Sequence, residues 1–435
     1  MFEKFFKNVT VVGAQKSGLA AAVLLKSRGA RVRLTENKEK SRCPADTVRS
    51  LEALGIPLEF GGHSPDAVGA SDLLVLSPGV PCRAEVARRA RARGIPVLTE
   101  VELAYQFCSR PVIGITGSNG KTTVTTLVHR VLTRAGYRTA LCGNIGTPFS
   151  EVVQDDDKWD YYVVELSSFQ TEAFLDPADR PASLQGFRPR VAAVLNFSQN
   201  HLDRHDDMAD YLLAKKRIFL NQTKEDYAVL NGRDKHAGDF AEGLSAAVRY
   251  FDPDGPSGNP NQAAVETVTG LLGVPAAACR SVFESFPGVR HRLQEVGVID
   301  GVAFINDSKS TTIEATRWAL ERLEKPVRLI CGGRDKQLDF TALRDDVRRK
   351  VRKIYAIGEA ADKLARSFEG TVDVQRCAGL EDAVRQSFQQ ARAGDVVLLS
   401  PMCASFDMFL NFEDRGDVFC GIVDRLQRKT DPVSS

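Results

Sequence analysis

The chain has no apolar run approaching the length of a membrane span, and its N-terminus has no apolar stretch of the signal-peptide kind. It has no CxxC pair. Its nine cysteines are odd in number and scattered, some inside apolar runs such as Leu329 to Cys331. That pattern excludes a disulfide framework and a thiolate zinc site, and predicts reduced thiols in a cytoplasmic protein. Charge of one sign is also missing. The 58 Lys and Arg nearly balance 56 Asp and Glu, and a net +2 argues against nucleic acid as the main partner. No internal repeat and no low-complexity segment occurs before the last few residues. What is present is 435 residues with 43% hydrophobic and 26% charged side chains, which is globular and long enough for two to four domains.

The most informative stretch is Pro111 to Val124, PVIGITGSNGKTTV. Val112, Ile113 and Ile115 form a short strand-type run. Gly117, Ser118, Asn119 and Gly120 then lead into Lys121, Thr122 and Thr123. Val124, Leu127, Val128, Val131 and Leu132 follow at helical spacing, with Gly136 where a C-terminal cap belongs. Strand, Gly-rich turn, Lys-Thr and helix make a phosphate cradle. Backbone N–H groups converge on the anion, and the helix N-terminus adds partial positive charge. Lys121 would reach the outer phosphates and Thr122 would ligate Mg²⁺. The spacing is the short TGxxGKT form, since Ile115 stands where the longer P-loop pattern has Gly.

Several other βα turns follow the same pattern. Asn8 to Val12, Gly13-Ala-Gln-Lys-Ser-Gly18, an Ala/Leu-rich helix and Arg31 to Leu34 form a βαβ unit with Glu36 just beyond. Gln15 replaces the second Gly of a dinucleotide fingerprint, so NAD is disfavoured, while a nucleotide contact and a plain turn both remain open. Asp72 to Leu76 leads into Ser77-Pro78-Gly79. The run of Arg88, Arg89, Arg91 and Arg93 is expected to be a solvated helix face. The first domain is expected to end near Thr99. Thr139 to Cys142 precedes a Gly143-Asn144-Ile145-Gly146 turn, and Asp155 to Asp157 reads as an exposed loop. Glu165 ends the strand from Asp160 and is followed by Leu166-Ser167-Ser168-Phe169-Gln170, where a carboxylate is placed to hold Mg²⁺ against phosphates. Val191 to Leu195 is a strand ending at Asn196. The HLDRH run, with His201, Asp203 and His205, reads either as a metal site or as a polar loop. Tyr211 to Leu220 is a helix whose Lys215, Lys216 and Arg217 composition alone assigns to a solvated face. Arg344 to Lys353 is expected to be a charged, solvated helix. Phe286-Pro287-Gly288 is a second domain boundary, and the last third is again α/β, with polar or Gly-rich turns after its strands.

Taken in order, TGSNGKTT, GNIG, ELSSFQ, HLDRH followed by AK, NDSK, GGRDK and LSPMCASFDMFLNFEDRG resemble the Mur ligases, enzymes that add amino acids to the peptidoglycan precursor. The resemblance spans nearly the whole chain. ELSSFQ and the SPMCASFDMF run are most similar to the branch that adds D-glutamate to UDP-N-acetylmuramoyl-L-alanine. The resemblance implies an α/β protein of three domains. These are a Rossmann-like N-terminal domain (1–99) for the UDP end, a central P-loop ATPase-type domain (100–288) with a mostly parallel sheet, and a Rossmann-like C-terminal domain (289–435) carrying the D-glutamate site. It implies ATP and two Mg²⁺ ions. Lys121 and Thr122 would meet the phosphates and metal, Glu165 and His201 would be metal ligands, and Lys215 would be carbamylated and join them. Asn144, Ser167 and Gln170 would touch the muramoyl-alanine part. Gln15, Lys16, Ser17, Glu36 and Ser77 would serve the uridine end. Asn261, Arg292, Asp307 and Lys309 would contact the nucleotide, and Thr311, Lys336, Ser405 and Phe412 would line the D-glutamate site.

The chain departs from the family pattern at Asn200, Pro260 and Ala264, and the stretch from Asn231 to Ser257 is short, which predicts trimmed β structure there. The expected protein acts as a cytoplasmic monomer on small molecules, without nucleic acid or membrane insertion. The competing readings are another Mur-type or folylpolyglutamate-type ligase, a P-loop NTPase that is not a ligase, and an NAD oxidoreductase. ELSSFQ and CASFDMF oppose the first, the unexplained NDSK and C-terminal motifs the second, and Gln15 the third.

Overall fold

The short Val-, Ile- and Leu-rich runs read from the sequence become strands buried on both faces, as parallel sheets covered by helices require. The computed structural model describes residues 2–201, 204–255, 258–286, 288–335 and 338–430. Two compact units result, residues 1–286 with two sheets and residues 287–435 with one.

The first sheet comprises β1 (Asn8–Val12), β2 (Arg31–Glu36), β3 (Leu58–Phe60), β4 (Leu73–Leu76) and β5 (Val97–Thr99), all parallel in the order 3-2-1-4-5. The strand order reverses between β1 and β4, so the Gly13 and Ser77 turns share one crevice. The second sheet comprises β6 (Val112–Thr116), β7 (Thr139–Gly143), β8 (Tyr161–Glu165), β9 (Val191–Val194), β10 (Tyr227–Asn231) and β11 (Ala247–Phe251), also all parallel, in the order 11-10-9-6-8-7. Its order reverses at β6, between β9 and β8. That places the Gly117 loop, Glu165 and Asn196 at one edge. The short segment after Asn231 still supplies β11, which pairs along the whole of β10.

One core runs across residue 99. Leu24 and Leu25 of the Lys16–Ser27 helix cluster with Phe149 and Tyr162 of the second sheet's layer. Thr99 caps the Glu100–Tyr105 helix through a reciprocal box with Glu102, which fixes how the chain passes between the sheets. The Lys121–Arg134 helix buries Val124, Leu127, Val128, Val131 and Leu132 against the other face of the second sheet. At about 1.5–3 kcal/mol per buried aliphatic side chain, this face holds the phosphate loop's helix firmly in place.

The second unit contains β12 (Gln294–Ile299), β13 (Val302–Asn306), β14 (Val327–Gly332), β15 (Val351–Ile357), β16 (Val374–Arg376) and β17 (Val396–Leu399), in the order 12-13-17-14-15-16. β12 is antiparallel to β13 and the other pairs are parallel.

Three local expectations change. The charged helix ends at Lys350, and Val351 to Lys353 open β15, because Val351 is buried and pairs with Val327 of β14. The Tyr211 helix spans Met208–Lys216 and tightens into a 3₁₀ turn over Arg217–Phe219. Residues Val153–Lys158 form a 3₁₀ turn rather than a free loop, since Asp156 accepts from Ser109 N (3.1 Å) and Tyr162 OH (2.8 Å).

Candidate active site

The phosphate loop is held in shape before any ligand is considered. Gly117 sits at φ 152° and Gly120 at φ 81°, conformations that side chains resist. A methyl group on Gly120 would also stand 2.6 Å from Asn261 Oδ1, so Asn261 lies directly beside the loop. Ser118 N donates to Asn196 O at 3.0 Å. The Asn196 side chain then brackets residue 119, accepting from Asn119 N (2.8 Å) and donating to Asn119 O (3.1 Å). Ser118 Oγ donates to Ser198 O (3.0 Å) and lies 3.2 Å from Tyr211 OH. Asn196 and Tyr211 were visible in the sequence only as a strand end and a helix start. Their place beside the cradle is a property of the parallel sheet, which gathers strand ends from distant segments.

Lys121 Nζ donates to Gly117 O (2.9 Å) and Ser118 O (3.0 Å). Lys215 Nζ donates to the same Gly117 carbonyl at 2.9 Å and lies 4.7 Å from the centroid of the Tyr211 ring. Lys215 is 1% exposed, so it belongs to the site and not to a solvated face. Burial, with the Lys121 charge beside it, holds its amine well below the ordinary lysine value against the opposing pull of Glu165. Thr122 is buried in the first helical turn and Thr123 is half-buried.

Glu165 ends β8 opposite Ile115 and is 1% exposed. Its Oε1 accepts from Asn144 Nδ2 at 2.8 Å, while its Oε2 has no hydrogen-bond partner; neither does the buried Thr116 Oγ1. An unanswered buried carboxylate oxygen is costly. A hard divalent cation would answer it, and Mg²⁺ in particular takes one or two protein oxygens and completes its shell with phosphates and water. No cluster of three His, Cys, Asp or Glu side chains that could hold a metal ion occurs among the described residues. Glu165 and Thr122 are the fitting oxygen donors. His201 sits in the left-handed region (φ 56°), a strained conformation of the kind found at functional sites, with its ring 4.8 Å from that of Phe169. Of the HLDRH run, Asp203 lies outside the described residues. His205 is buried, with Nε2 3.0 Å from Ser168 Oγ and Nδ1 3.3 Å from Asp210.

Ser167 and Gln170 form a capping box on the Ser168–Thr171 turn, Gln170 Oε1 accepting from Ser167 N at 2.9 Å. Gln170 is buried, so in this conformation it orders the turn beside Glu165. At the first sheet's crevice, Gln15 is an exposed helix cap whose side chain makes no capping bond, and Ser17 is half-buried. Glu36 accepts from Ala14 N (2.8 Å) and Lys38 N (3.0 Å), and Ser77 Oγ donates to Gly13 O (3.2 Å). Lys16 Nζ donates to Gly146 O at 2.7 Å, which joins this crevice to the GNIG turn.

The second unit gathers its own set. Asp307 follows β13 and accepts from Leu293 N (3.2 Å) and Ser400 Oγ (2.9 Å). Burial pushes its carboxyl up to about 6 against these bonds and the nearby Arg292 charge. Lys309 Nζ lies 5.1 Å from the Phe412 ring centroid. Thr311 is half-buried, Ser405 is buried, and Lys336 lies outside the described residues. Sequence reasoning passed over Arg415. It is wholly buried, donates to Ser308 O (2.8 Å) and Cys403 O (3.3 Å), and so ties the NDSK turn to the CASF turn. Burial lowers it to about 10.

Known proteins match this chain along nearly its whole length. Residues 7–99 match the family model of the Mur ligase MurD-like N-terminal domain, 115–266 that of the Mur ligase middle domain, and 291–403 that of the Mur ligase glutamate ligase domain. A Salinibacter ruber protein named UDP-N-acetylmuramoylalanine–D-glutamate ligase is 38% identical over 463 residues, covering 96% of this chain and 97% of its own. One of the same name from Pelodictyon phaeoclathratiforme is 39% identical over 470 residues, covering 97% and 98%. Among solved structures, MurF from Acinetobacter baumannii superposes with a TM-score of 0.59 at 16% identity, covering 95% of this chain and 93% of that one. The UDP-N-acetylmuramate–alanine ligase of Thermotoga maritima gives 0.57 at 18%, covering 98% and 100%. These structures share the fold, and the near-full-length relatives carry the finer assignment: the chain belongs to the Mur ligase family, in its UDP-N-acetylmuramoylalanine–D-glutamate ligase branch.

Proposed function

We propose that this chain is an ATP-dependent amide ligase that joins D-glutamate to UDP-N-acetylmuramoyl-L-alanine, as a cytoplasmic monomer with small-molecule substrates. The single observation that supports it most is the ordered loop of residues 117–120, with Lys121, buried Lys215 and the unanswered Glu165 oxygen converging on it. A carboxylate resists attack by an amine until one oxygen becomes a good leaving group. An oxygen of the substrate's carboxylate attacks the γ-phosphorus of ATP, and the bond from that phosphorus to the ADP oxygen breaks. The amine of D-glutamate then attacks the acyl carbon, and inorganic phosphate leaves as the C–N bond forms. Such phosphoryl transfer needs positioning and charge stabilisation above all. The loop amides and Lys121 hold the phosphates in line, and the Gly13 and Ser77 turns hold the uridine end. Mg²⁺ held by Glu165 and Thr122, with His201 nearby, would supply neutralisation of phosphate charge.

Lys215 has the properties of a carbamate-forming lysine. Its depressed basicity favours the neutral amine. Nζ attacks the carbon of CO₂, one C=O π pair moves to oxygen, and the nitrogen loses a proton. The product is an anion with two hard oxygens beside Lys121, suited to a second Mg²⁺. Thr311, Lys336, Ser405 and Phe412 are the residues assigned to D-glutamate, with Asn261, Arg292, Asp307 and Lys309 assigned to the nucleotide. The test is phosphate release with ATP, UDP-N-acetylmuramoyl-L-alanine and a panel of amino acids. D-glutamate is expected to be the preferred acceptor. Turnover with L-alanine or a diamino acid but not D-glutamate would overturn the assignment, and hydrolysis independent of the nucleotide sugar would favour a simple NTPase.

A further inference from the structure

The loop after β4 is poor in bonds of its own. It contains Pro78, Gly79 and Pro81, and Val80 N to Ser77 O (2.9 Å) and Ala84 N to Pro81 O (2.9 Å) are its short-range backbone bonds. Arg91 Nη1 of the Glu85–Ala92 helix donates to Cys82 O (2.6 Å), and the rest of the loop's side-chain support comes from the second sheet's side. Arg204 spreads one guanidinium over three partners. Nε donates to Glu172 Oε1 (3.1 Å), Nη2 to Val80 O (3.1 Å) as well as to Glu172, and Nη1 to Gly79 O (3.5 Å). Glu172 Oε1 also accepts from Cys82 N at 3.2 Å, so both members of the ion pair grip the same loop. The side chains of Arg204 and Glu172 are 13% and 10% exposed. An ion pair this buried gains little net stability, because desolvation offsets the attraction, and what it supplies is fixed geometry. The planar fork suits three simultaneous partners, which a lysine ammonium on a flexible stem does not.

The clamp's other face touches the site. The Arg204 guanidinium lies 4.7 Å from the centroid of the Phe169 ring, and that ring is the one His201 meets edge-on. Arg83 adds exposed ion pairs to Asp206 and Asp210, worth little individually.

We propose that Glu172 and Arg204 are positioning residues that lock the Ser77–Arg83 loop to the Arg204–Asp210 segment, so that a nucleotide-sugar substrate anchored on the first sheet presents its carboxylate in register with the phosphate loop. The clamp touches no reacting atom; it acts through the loop and through Phe169. It rests on the substrate reading given above.

The test is steady-state kinetics of Arg204→Lys, Glu172→Gln and the double variant, with KM measured separately for the nucleotide sugar and for ATP. Arg204→Lys is expected to raise KM for UDP-N-acetylmuramoyl-L-alanine about tenfold and to leave KM for ATP within about twofold. Glu172→Gln is expected to do less, because Arg204 keeps the Gly79 and Val80 carbonyls. The double variant should be no worse than Arg204→Lys alone. Equal rises in both KM values, no change in either, or single effects that multiply in the double variant would overturn the clamp. Hydrogen exchange of Glu172→Gln is the second arm. Residues 77–84 should exchange faster while 112–120 do not, and unchanged exchange at 77–84 refutes the proposal. Wild-type enzyme inactive with this substrate would sink the substrate reading and leave the exchange arm to judge the clamp.

Discussion

Asn196 gives the sharpest quantitative test of the phosphate loop. Its side chain makes two hydrogen bonds to the backbone of Asn119, at 2.8 and 3.1 Å, and so fixes the middle of a loop whose task is to aim N–H groups at phosphate. Asn196→Ala removes both bonds and leaves the backbone bond from Ser118 N to Asn196 O in place. At a net contribution of about 1 kcal/mol per bond, ordering the loop would cost about 2 kcal/mol more. If ATP binding must supply that ordering, its Kd should rise by about 30-fold, since about 1.4 kcal/mol is a factor of ten. Asn196→Asp should be worse than alanine. One oxygen still accepts from Asn119 N, but the other faces Asn119 O with no proton to share and brings negative charge to a phosphate site. Calorimetric titration with a non-hydrolysable ATP analogue reads the effect directly, with thermal melting of the free protein as the control for global damage. A Kd within twofold of wild type for Asn196→Ala would refute the claim that this side chain organises the cradle.

Lys121→Ala should abolish turnover while preserving the melting temperature, because its Nζ donates to the loop carbonyls of Gly117 and Ser118 and not into the core; a near-normal kcat would refute the phosphate role. For Lys215, a carbonyl resonance should appear with ¹³C-bicarbonate in wild type but not in Lys215→Ala, and short carboxylic acids should partly restore the alanine variant; an inactive variant that no acid restores, together with no resonance, would refute the carbamate. Glu102 should make stability fall with rising pH. Burial raises its carboxyl from 4.5 to about 7 despite hydrogen bonds from Thr99 and Leu175, so its folded form favours the proton. The stability tied to the neutral form is complete below about 4.5, the unfolded value, and is lost as pH rises through about 7, by roughly 3 kcal/mol in all. In Glu102→Gln, urea midpoints between about pH 4.5 and 7.5 should lose that slope. Their absolute values should drop, because an amide nitrogen cannot accept from Thr99 N (3.0 Å from Glu102 Oε2); an unchanged slope would refute the assignment.

The strands and the phosphate turn were legible because short apolar runs ending in Gly-rich or polar residues carry their own signal. Position in the sheet was not. Lys215 reads as part of a basic face when only Lys216 and Arg217 are considered, and its burial follows from Tyr211 and the loop packing over it. The family resemblance implies a substrate contact for Gln170, and its oxygen also caps Ser167 three residues away. Arg415 has nothing local in FEDRGD to mark it, and Ser308 and Cys403 close around it in the fold. For Lys215 and Arg415 the missing information is a partner far away in sequence, Gly117 and Ser308, brought close by the fold. Residue type and spacing do not encode that partner.

The same geometry explains why the site is built around a tension. Gly117 O accepts from two lysines at 2.9 Å, and two ammonium groups sharing one carbonyl repel strongly away from bulk water. Glu165 is close enough to oppose the depression of Lys215, but one of its oxygens remains without a hydrogen bond. Neutralising Lys215 relieves the repulsion and leaves Glu165 with less positive charge nearby. The carbamate proposed for Lys215 would go further. It would give Lys121 an opposite charge and a hard cation a second set of oxygens beside Glu165. With that cation bound, the added anion's repulsion of the incoming triphosphate would be offset, and a lysine that is costly as a buried ammonium would become a metal-binding group.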